Sequence, residues 1–136
     1  MSPAILVQAQ SDVPVLVISP DEGVHSSLAR ILKKDCCLHR AAGRRDGILY
    51  VRKLRPWVVV CDQNLADGDW RDLLRDLQAE EEMPPLIVSS RVADDRLWAE
   101  VLNLGGYDLL STPFAATEVI RVVRMAAHHG KATVGG

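Results

Sequence analysis

The chain alternates short apolar runs with longer stretches in which apolar residues recur every three to four positions. Val13–Ser19 (VPVLVIS) is almost unbroken in its apolar character, and Pro20 ends it. Asp21–Lys33 then sets Val24, Leu28, Ile31 and Leu32 on one helical face. Cys36–His39 reads as a second strand. Gly43–Leu54 reads as a helix with Ile48, Val51 and Leu54 aligned, stopped by Arg55-Pro56. Trp57–Asp62 is a third strand, and its β-branched run predicts burial on both faces. Asp69–Glu80 is a helix burying Trp70, Leu73, Leu74 and Leu77. Leu86–Ser90 is a fourth strand, entered through Pro84-Pro85. Asp94–Leu104 is a helix closed by Gly105-Gly106. Tyr107–Ser111 is a fifth strand, and Phe114–His128 is a last helix with Val119, Ile120, Val123 and Ala127 stacked.

Strands and helices in strict alternation, joined by short connections, predict an α/β fold. Its parallel sheet would be covered on both faces by right-handed crossovers. Such sheets place ligands at the carboxyl ends of their strands. Asp62 stands at the end of the third strand. The loops after the first, third, fourth and fifth strands would bring Ser19-Pro20-Asp21, Asp62, Ser89-Ser90 and Ser111-Thr112-Pro113 to one crevice.

Composition narrows the function classes. The 136 residues suit one domain with a real core, and 48% hydrophobic content argues against disorder. A net charge of −2 leaves no footprint for nucleic acid. No apolar stretch has the length of a membrane span, and the opening MSPAILVQAQSD lacks a basic region, so a cytoplasmic protein is expected. Residues 1–12 and 129–136 are small or polar and are expected to be flexible flanks of a domain over 13–128. Three cysteines without CxxC spacing agree with a reducing compartment. Cys36, Cys37 and Cys61 read as packing residues. A small α/β enzyme or flavin binder is disfavoured, because the turn after the first strand offers only Gly23 to a phosphate.

The sequence WVVVCDQNLADGDW, followed by PPLIVSSRVADDRLWAEVLNLGGYDLLSTPF, resembles the receiver domain of bacterial two-component response regulators. The resemblance covers Val13 to His128. It implies a flavodoxin-like (βα)5 fold, a doubly wound three-layer sandwich with five parallel strands in the order 2-1-3-4-5. It implies Asp62 as phosphoacceptor, Ser90 (or Ser89 after a one-residue shift) as the switch hydroxyl, and Pro113 as the proline after the family lysine. It also implies Mg²⁺ held by an acidic pair, the acceptor Asp62 and the backbone carbonyl of Asn64. The output face of similar domains is built from the fourth helix, fifth strand and fifth helix, here with Trp98, Leu109, Arg121 and Arg124. A homodimer would use the same face.

Two departures set the expected function. Ser19-Pro20 stand where the family has its acidic pair, leaving Asp21 as the nearest carboxylate. Thr112 stands where the family has lysine, and Leu109 takes the aromatic switch position. Phosphoryl transfer to a carboxylate needs a hard cation and a fixed positive group, and loss of one such group costs about 3 kcal/mol in the transition state. Mg²⁺ binding is therefore expected to be weak. The chain is read as an atypical receiver, a non-enzymatic interaction module with weak or no phosphorylation at Asp62. Its partner would be a signalling protein, either a histidine kinase or an output protein. The alternative is a working switch, phosphorylated by a histidine kinase. The bland roles are capping of the following loop for Asp62, first-turn acids that complement the helix dipole for Asp21 and Glu22, and a turn plus the third helix's N-cap for Asp67 and Asp69.

Overall fold

Five strands form one parallel sheet in the order β2-β1-β3-β4-β5: β1 (Val13–Ile18), β2 (Cys36–Ala41), β3 (Val58–Asp62), β4 (Leu86–Ser90) and β5 (Asp108–Ser111). This is the implied order. A computed structural model describes residues 13–135, so the flexible segment expected over 1–12 lies outside the described residues. Five helices connect and cover the sheet: α1 (Glu22–Leu32), α2 (Arg44–Leu54), α3 (Trp70–Gln78), α4 (Asp95–Leu104) and α5 (Ala116–Gly135).

Alternation along each strand splits the interior into two layers. Leu16, Ile18, Val59, Cys61, Leu86 and Val88 face α2, α3 and α4, where Ile48, Trp70, Leu73, Leu77 and Val101 meet them. Val15, Val17, Val58, Val60, Ile87 and Leu110 face α1 and α5, against Leu28, Val119, Val123 and Ala126. Trp70 is wholly buried, deeper than its helical pattern implied. The three-layer sandwich is therefore real, and the central strands are dry on both sides. No helix among the described residues is long and apolar enough to cross a membrane.

Carboxylates start the helices. Asp21 accepts from the Gly23 N–H at α1, Asp94 from the Leu97 N–H at α4, and Asp69 forms a capping box with Asp72 at α3. The N-cap of α2 is Gly43, which has no side chain to offer. Asp67, expected in a turn and cap for α3, supplies this one instead. Its Oδ1 accepts from the Arg44 N–H at 2.7 Å and its Oδ2 from the Arg45 N–H at 3.2 Å. A Cβ at position 43 would lie 2.4 Å from Asp67 Oδ1, so the glycine makes room for the borrowed cap.

Two boundaries and one residue role read from the sequence need correction. β2 runs to Ala41, beyond His39, because Ile18 pairs with Ala41 and the Ser19 N–H donates to the Ala41 carbonyl. Cys37 is exposed on this edge strand, 3.7 Å from His39 Nε2, and so is not a packing residue. The last helix does not stop at His128 but continues to Gly135, so the segment set apart as a tail over 129–136 is largely helical. Gly130 explains the continuation. Its backbone passes so close to Trp57 that a Cβ would sit 1.7 Å from the Trp57 carbonyl oxygen. The indole of Trp57 lies 5.6 Å from Lys131 Nζ, and Tyr107 packs on His129 with ring centroids 5.5 Å apart.

Two predictions follow from these contacts. Gly→Ala inside a helix ordinarily stabilises by about 1 kcal/mol. Gly130→Ala is expected to do the reverse and lower stability by roughly 1–3 kcal/mol, because a backbone oxygen blocks the methyl. Urea denaturation checks the sign. For Asp67, burial opposes ionisation, but the Arg44 and Arg45 N–H groups outweigh it and leave the carboxyl more acidic than in a free chain. A lowered folded-state value means stability that is present above the ordinary carboxylate range and lost as pH falls through that lowered value. Asp67→Ala is expected to cost on the order of 1 kcal/mol at neutral pH, at the low end of cap effects because the group is exposed. The deficit should narrow below about pH 4 when both proteins are unfolded in parallel.

Candidate functional site

Parallel register delivers the site. Ile18 of β1 pairs with Cys61 of β3, and Asp62 pairs with Ser89 of β4. Ser90 pairs with Ser111 of β5, and the Thr112 N–H donates to the Ser90 carbonyl. The residues just past these pairs therefore arrive at one edge, as the sequence implied. Asp62 is half-buried there, in a cleft of about 510 Å³ that it shares with Asp21, Arg30, Arg91, Thr112 and Pro113. The Thr112-Pro113 peptide bond is cis.

Both carboxylate oxygens of Asp62 have protein donors. Ser19 Oγ donates to Oδ2 at 3.1 Å, and the Gln63 N–H reaches Oδ1 at 3.1 Å. Ser19 is itself fixed. Its Oγ accepts from the Asp21 N–H at 3.0 Å, and its carbonyl lies 2.8 Å from His25 Nε2. His25 is buried, and its Nδ1 has no partner, so the geometry suits the tautomer protonated on Nε2. Sequence reasoning found no role for His25. The signal was present: His25, Leu28 and Leu32 fall on one helical face.

Other candidates are placed differently from expectation. The carboxylate of Asp21 is turned to its own helix, 2.8 Å from the Gly23 N–H. Asn64 belongs to a two-residue antiparallel ladder, pairing with Asp69. Among the described residues no group of three or more His, Cys, Asp or Glu is arranged to hold a metal ion. The charged oxygen donors of the cleft are Asp62 and Asp21, and Asp21 already accepts from the Gly23 N–H. Ser89 is buried and its Oγ lies 3.4 Å from the Cys61 carbonyl. Ser90 donates to Gln63 Oε1 at 2.5 Å. Neither serine bonds to Asp62. Burial pushes the Cys61 thiol far above its usual value, and the adjacent Asp62 charge adds to this, so Cys61 is an inert core residue.

Cations stand near Asp62 even though Thr112 replaces lysine. Arg30 and Arg91 line the cleft, and neither makes an ion pair within 4.0 Å among the described residues. On the α4–β5–α5 side, Trp98, Leu109 and Arg121 border a second hollow with Asp94, Asp95, Asp108 and Glu118. Trp98 is 46% exposed, and its indole N–H donates to Asp108 Oδ1 at 3.2 Å. Leu109 is 8% exposed and belongs to the core under α4, so it contributes little surface. Arg124 does not join this face. It leans toward Asp35, 3.8 Å away at the entry to β2, because that carboxylate lies on the α1 side of α5.

Comparison with known proteins agrees with this fold. A family model described as the response regulator receiver domain matches residues 7–124. The chain is similar to the KDP operon transcriptional regulatory protein KdpE of Escherichia coli (strain K12), 28% identical over 121 residues. That alignment covers 88% of this chain and 53% of KdpE. It is also similar to protein-glutamate methylesterase/protein-glutamine glutaminase 3 of Syntrophomonas wolfei, 28% identical over 130 residues. Here 85% of this chain and 37% of the relative are covered. The chain thus spans about half or less of the length of these relatives. Among solved structures, the signal receiver domain of an HD domain-containing protein from Pseudomonas fluorescens Pf-5 superposes with a TM-score of 0.79. Its identity is 21%, over 90% of this chain and 91% of that one, a likeness of fold.

Proposed function

The chain belongs to the response regulator receiver domain family, and on that premise we propose that it is an atypical receiver, an interaction module whose Asp62 is a poor phosphoacceptor. The observation that carries this reading is the Ser19–Asp62 hydrogen bond. Ser19 occupies the place of a carboxylate that would hold a metal ion. A hydroxyl there donates a hydrogen bond to Asp62 instead of sharing a dication with it. Phosphoryl transfer is mostly positioning and charge neutralisation, so a site short of both is slow. Asp21 does not compensate, since its carboxylate already satisfies the start of α1.

In this reading the domain acts through its α4–β5–α5 face, with Trp98 as aromatic anchor and Arg121 beside it. Its partner is a signalling protein, a histidine kinase or an output protein. Mg²⁺ has a minor role or none. The domain works as a cytoplasmic signalling element and not as an enzyme.

One observation favours a second reading. Arg30 and Arg91 put two guanidinium groups at the cleft that holds Asp62. If Asp62 accepts a phosphoryl group from a histidine kinase, these arginines supply the positive charge that Thr112 lacks, with a planar fork suited to phosphate oxygens.

Intact-protein mass spectrometry separates the two readings. After incubation with Mg²⁺ and acetyl phosphate, the native chain is expected to show little adduct and Asp62→Asn none. Restoring both charges, in Ser19→Asp/Thr112→Lys, is expected to speed labelling roughly a hundredfold. Ready labelling of the native chain at Asp62, with no gain from the restored charges, overturns the proposal in favour of the switch. A loss of that labelling in Arg91→Ala then assigns the missing charge to Arg91.

A further inference from the structure

β2 is an edge of the sheet, and among the described residues no strand pairs with its outer side. Edge strands are commonly guarded against further pairing by charged side chains or proline. β2 (CCLHRA) has no proline, and its charged residue, Arg40, is turned to Glu22 at the start of α1. Side chains alternate along a strand. Cys36 and Leu38 pack on the α1–α5 layer, whereas Ala41 belongs to the core under α2, so Cys37 and His39 share the α2 face with Ala41. Cys37 is exposed there, and its Sγ stands 3.7 Å from His39 Nε2. A zinc ion with bonds of about 2.3 Å to sulfur and about 2.0 Å to nitrogen holds two such donors about 3.6 Å apart at a tetrahedral angle. The pair therefore already has the bite of a zinc chelate.

We propose that Cys37 and His39 are one half of a zinc site, completed by the same two residues of a second copy of this chain paired along β2. Two ligands leave half of the tetrahedron empty, and structural zinc sites take four protein ligands. Antiparallel pairing about a two-fold axis at Leu38 sets Cys37 opposite His39 of the second copy, and His39 opposite its Cys37. All four ligands then lie on one face, with directly opposed Cβ atoms about 4.5–5.5 Å apart. Zinc takes thiolate and neutral imidazole, so each copy releases its Cys37 proton on binding, and two thiolates balance the charge of the ion. The same axis puts both α2 helices on the metal's side of the joined sheet. Leu49, 58% exposed, and Tyr50, 38% exposed, border a hollow beside Ala41 and Ala42 on that side, an apolar surface for the second copy to cover. The α4–β5–α5 face lies toward the opposite edge of the sheet and stays free. Asp62 takes no part in this site.

Zinc titration of the metal-free, reduced full chain against a chromophoric chelator, with the mass followed by sedimentation equilibrium, tests the site. One zinc per two chains and a doubled mass are expected, both reversed by EDTA. Co²⁺ in place of Zn²⁺ should give the visible absorption of a tetrahedral ion together with thiolate-to-metal charge transfer. Cys37→Ser and His39→Gln should each lose the zinc-dependent dimer and keep native circular dichroism, since neither side chain belongs to the core. Trp98→Ala, on the α4–β5–α5 face, should retain the dimer. No bound zinc, one zinc on a single chain, a zinc-dependent dimer that survives Cys37→Ser, or a dimer lost in Trp98→Ala each overturn the proposal. None of these readouts involves Asp62, so the outcome is separate from that of the acetyl phosphate experiment.

Discussion

In a parallel sheet that is dry on both faces, backbone donors and acceptors have no water to fall back on, so each strand is held to one register. β1, β3 and β4 meet that condition here: Val15 to Ile18, Val58 to Cys61 and Leu86 to Ser90 are all essentially inaccessible. A one-residue slip in β3 would carry Val58 and Val60 to the α3 side and Cys61 to the α1 side, and Asp62 would no longer end opposite Ser89. The position of the carboxylate is thus fixed by hydrophobic burial some distance from it. The polar edge inherits its geometry from the apolar strands, and the loops only refine it.

What the edge does with that geometry depends on charge. A carboxylate flanked by two more carboxylates attracts a dication, while a carboxylate flanked by a hydroxyl and an N–H accepts a hydrogen bond from each. Asp62 is of the second kind, bonded by Ser19 and by the Gln63 N–H. His25 reinforces this arrangement from below through the Ser19 carbonyl. The positive charge near it comes from Arg30 and Arg91, planar guanidinium groups that line the cleft, in place of a lysine ammonium at the strand end.

The parts of this arrangement that could be read from the sequence are those set by local periodicity. Continuous β-branched runs gave β1, β3 and β4, and spaced leucines gave α1 and α3, because burial imposes those patterns directly. Asp62 was legible for the same reason, as a carboxylate ending a buried strand. The misses share a different cause, which is pairing between distant segments. Asp67 caps a helix that begins 23 positions earlier in the chain, and nothing near Asp67 announces that role. Gly130 falls in the stretch read as a flexible flank, yet it is the position that lets α5 pass over Trp57. Arg124 shares a helical periodicity with Arg121 but finds Asp35 in three dimensions. Ser90 reads as the switch hydroxyl from its place in the chain, whereas the register sets Ser89 beside Asp62 and the Ser90 hydroxyl donates to Gln63.

The strand-end hydroxyls bear on how such a domain would carry a signal. A ligand or modification shifts a two-state element only by its differential interaction with the two states. Ser89, which the register sets beside Asp62, is buried with its Oγ 3.4 Å from the Cys61 carbonyl, and the Ser90 hydroxyl is satisfied by Gln63 and by the Val92 N–H. On the proposed reading, the difference available to drive the β4–α4 loop from Asp62 is small, because either hydroxyl must leave a partner that it already has. The same reading has the missing acidic pair weaken the input at Asp62, and the output is then carried by the α4–β5–α5 face as the fold shapes it.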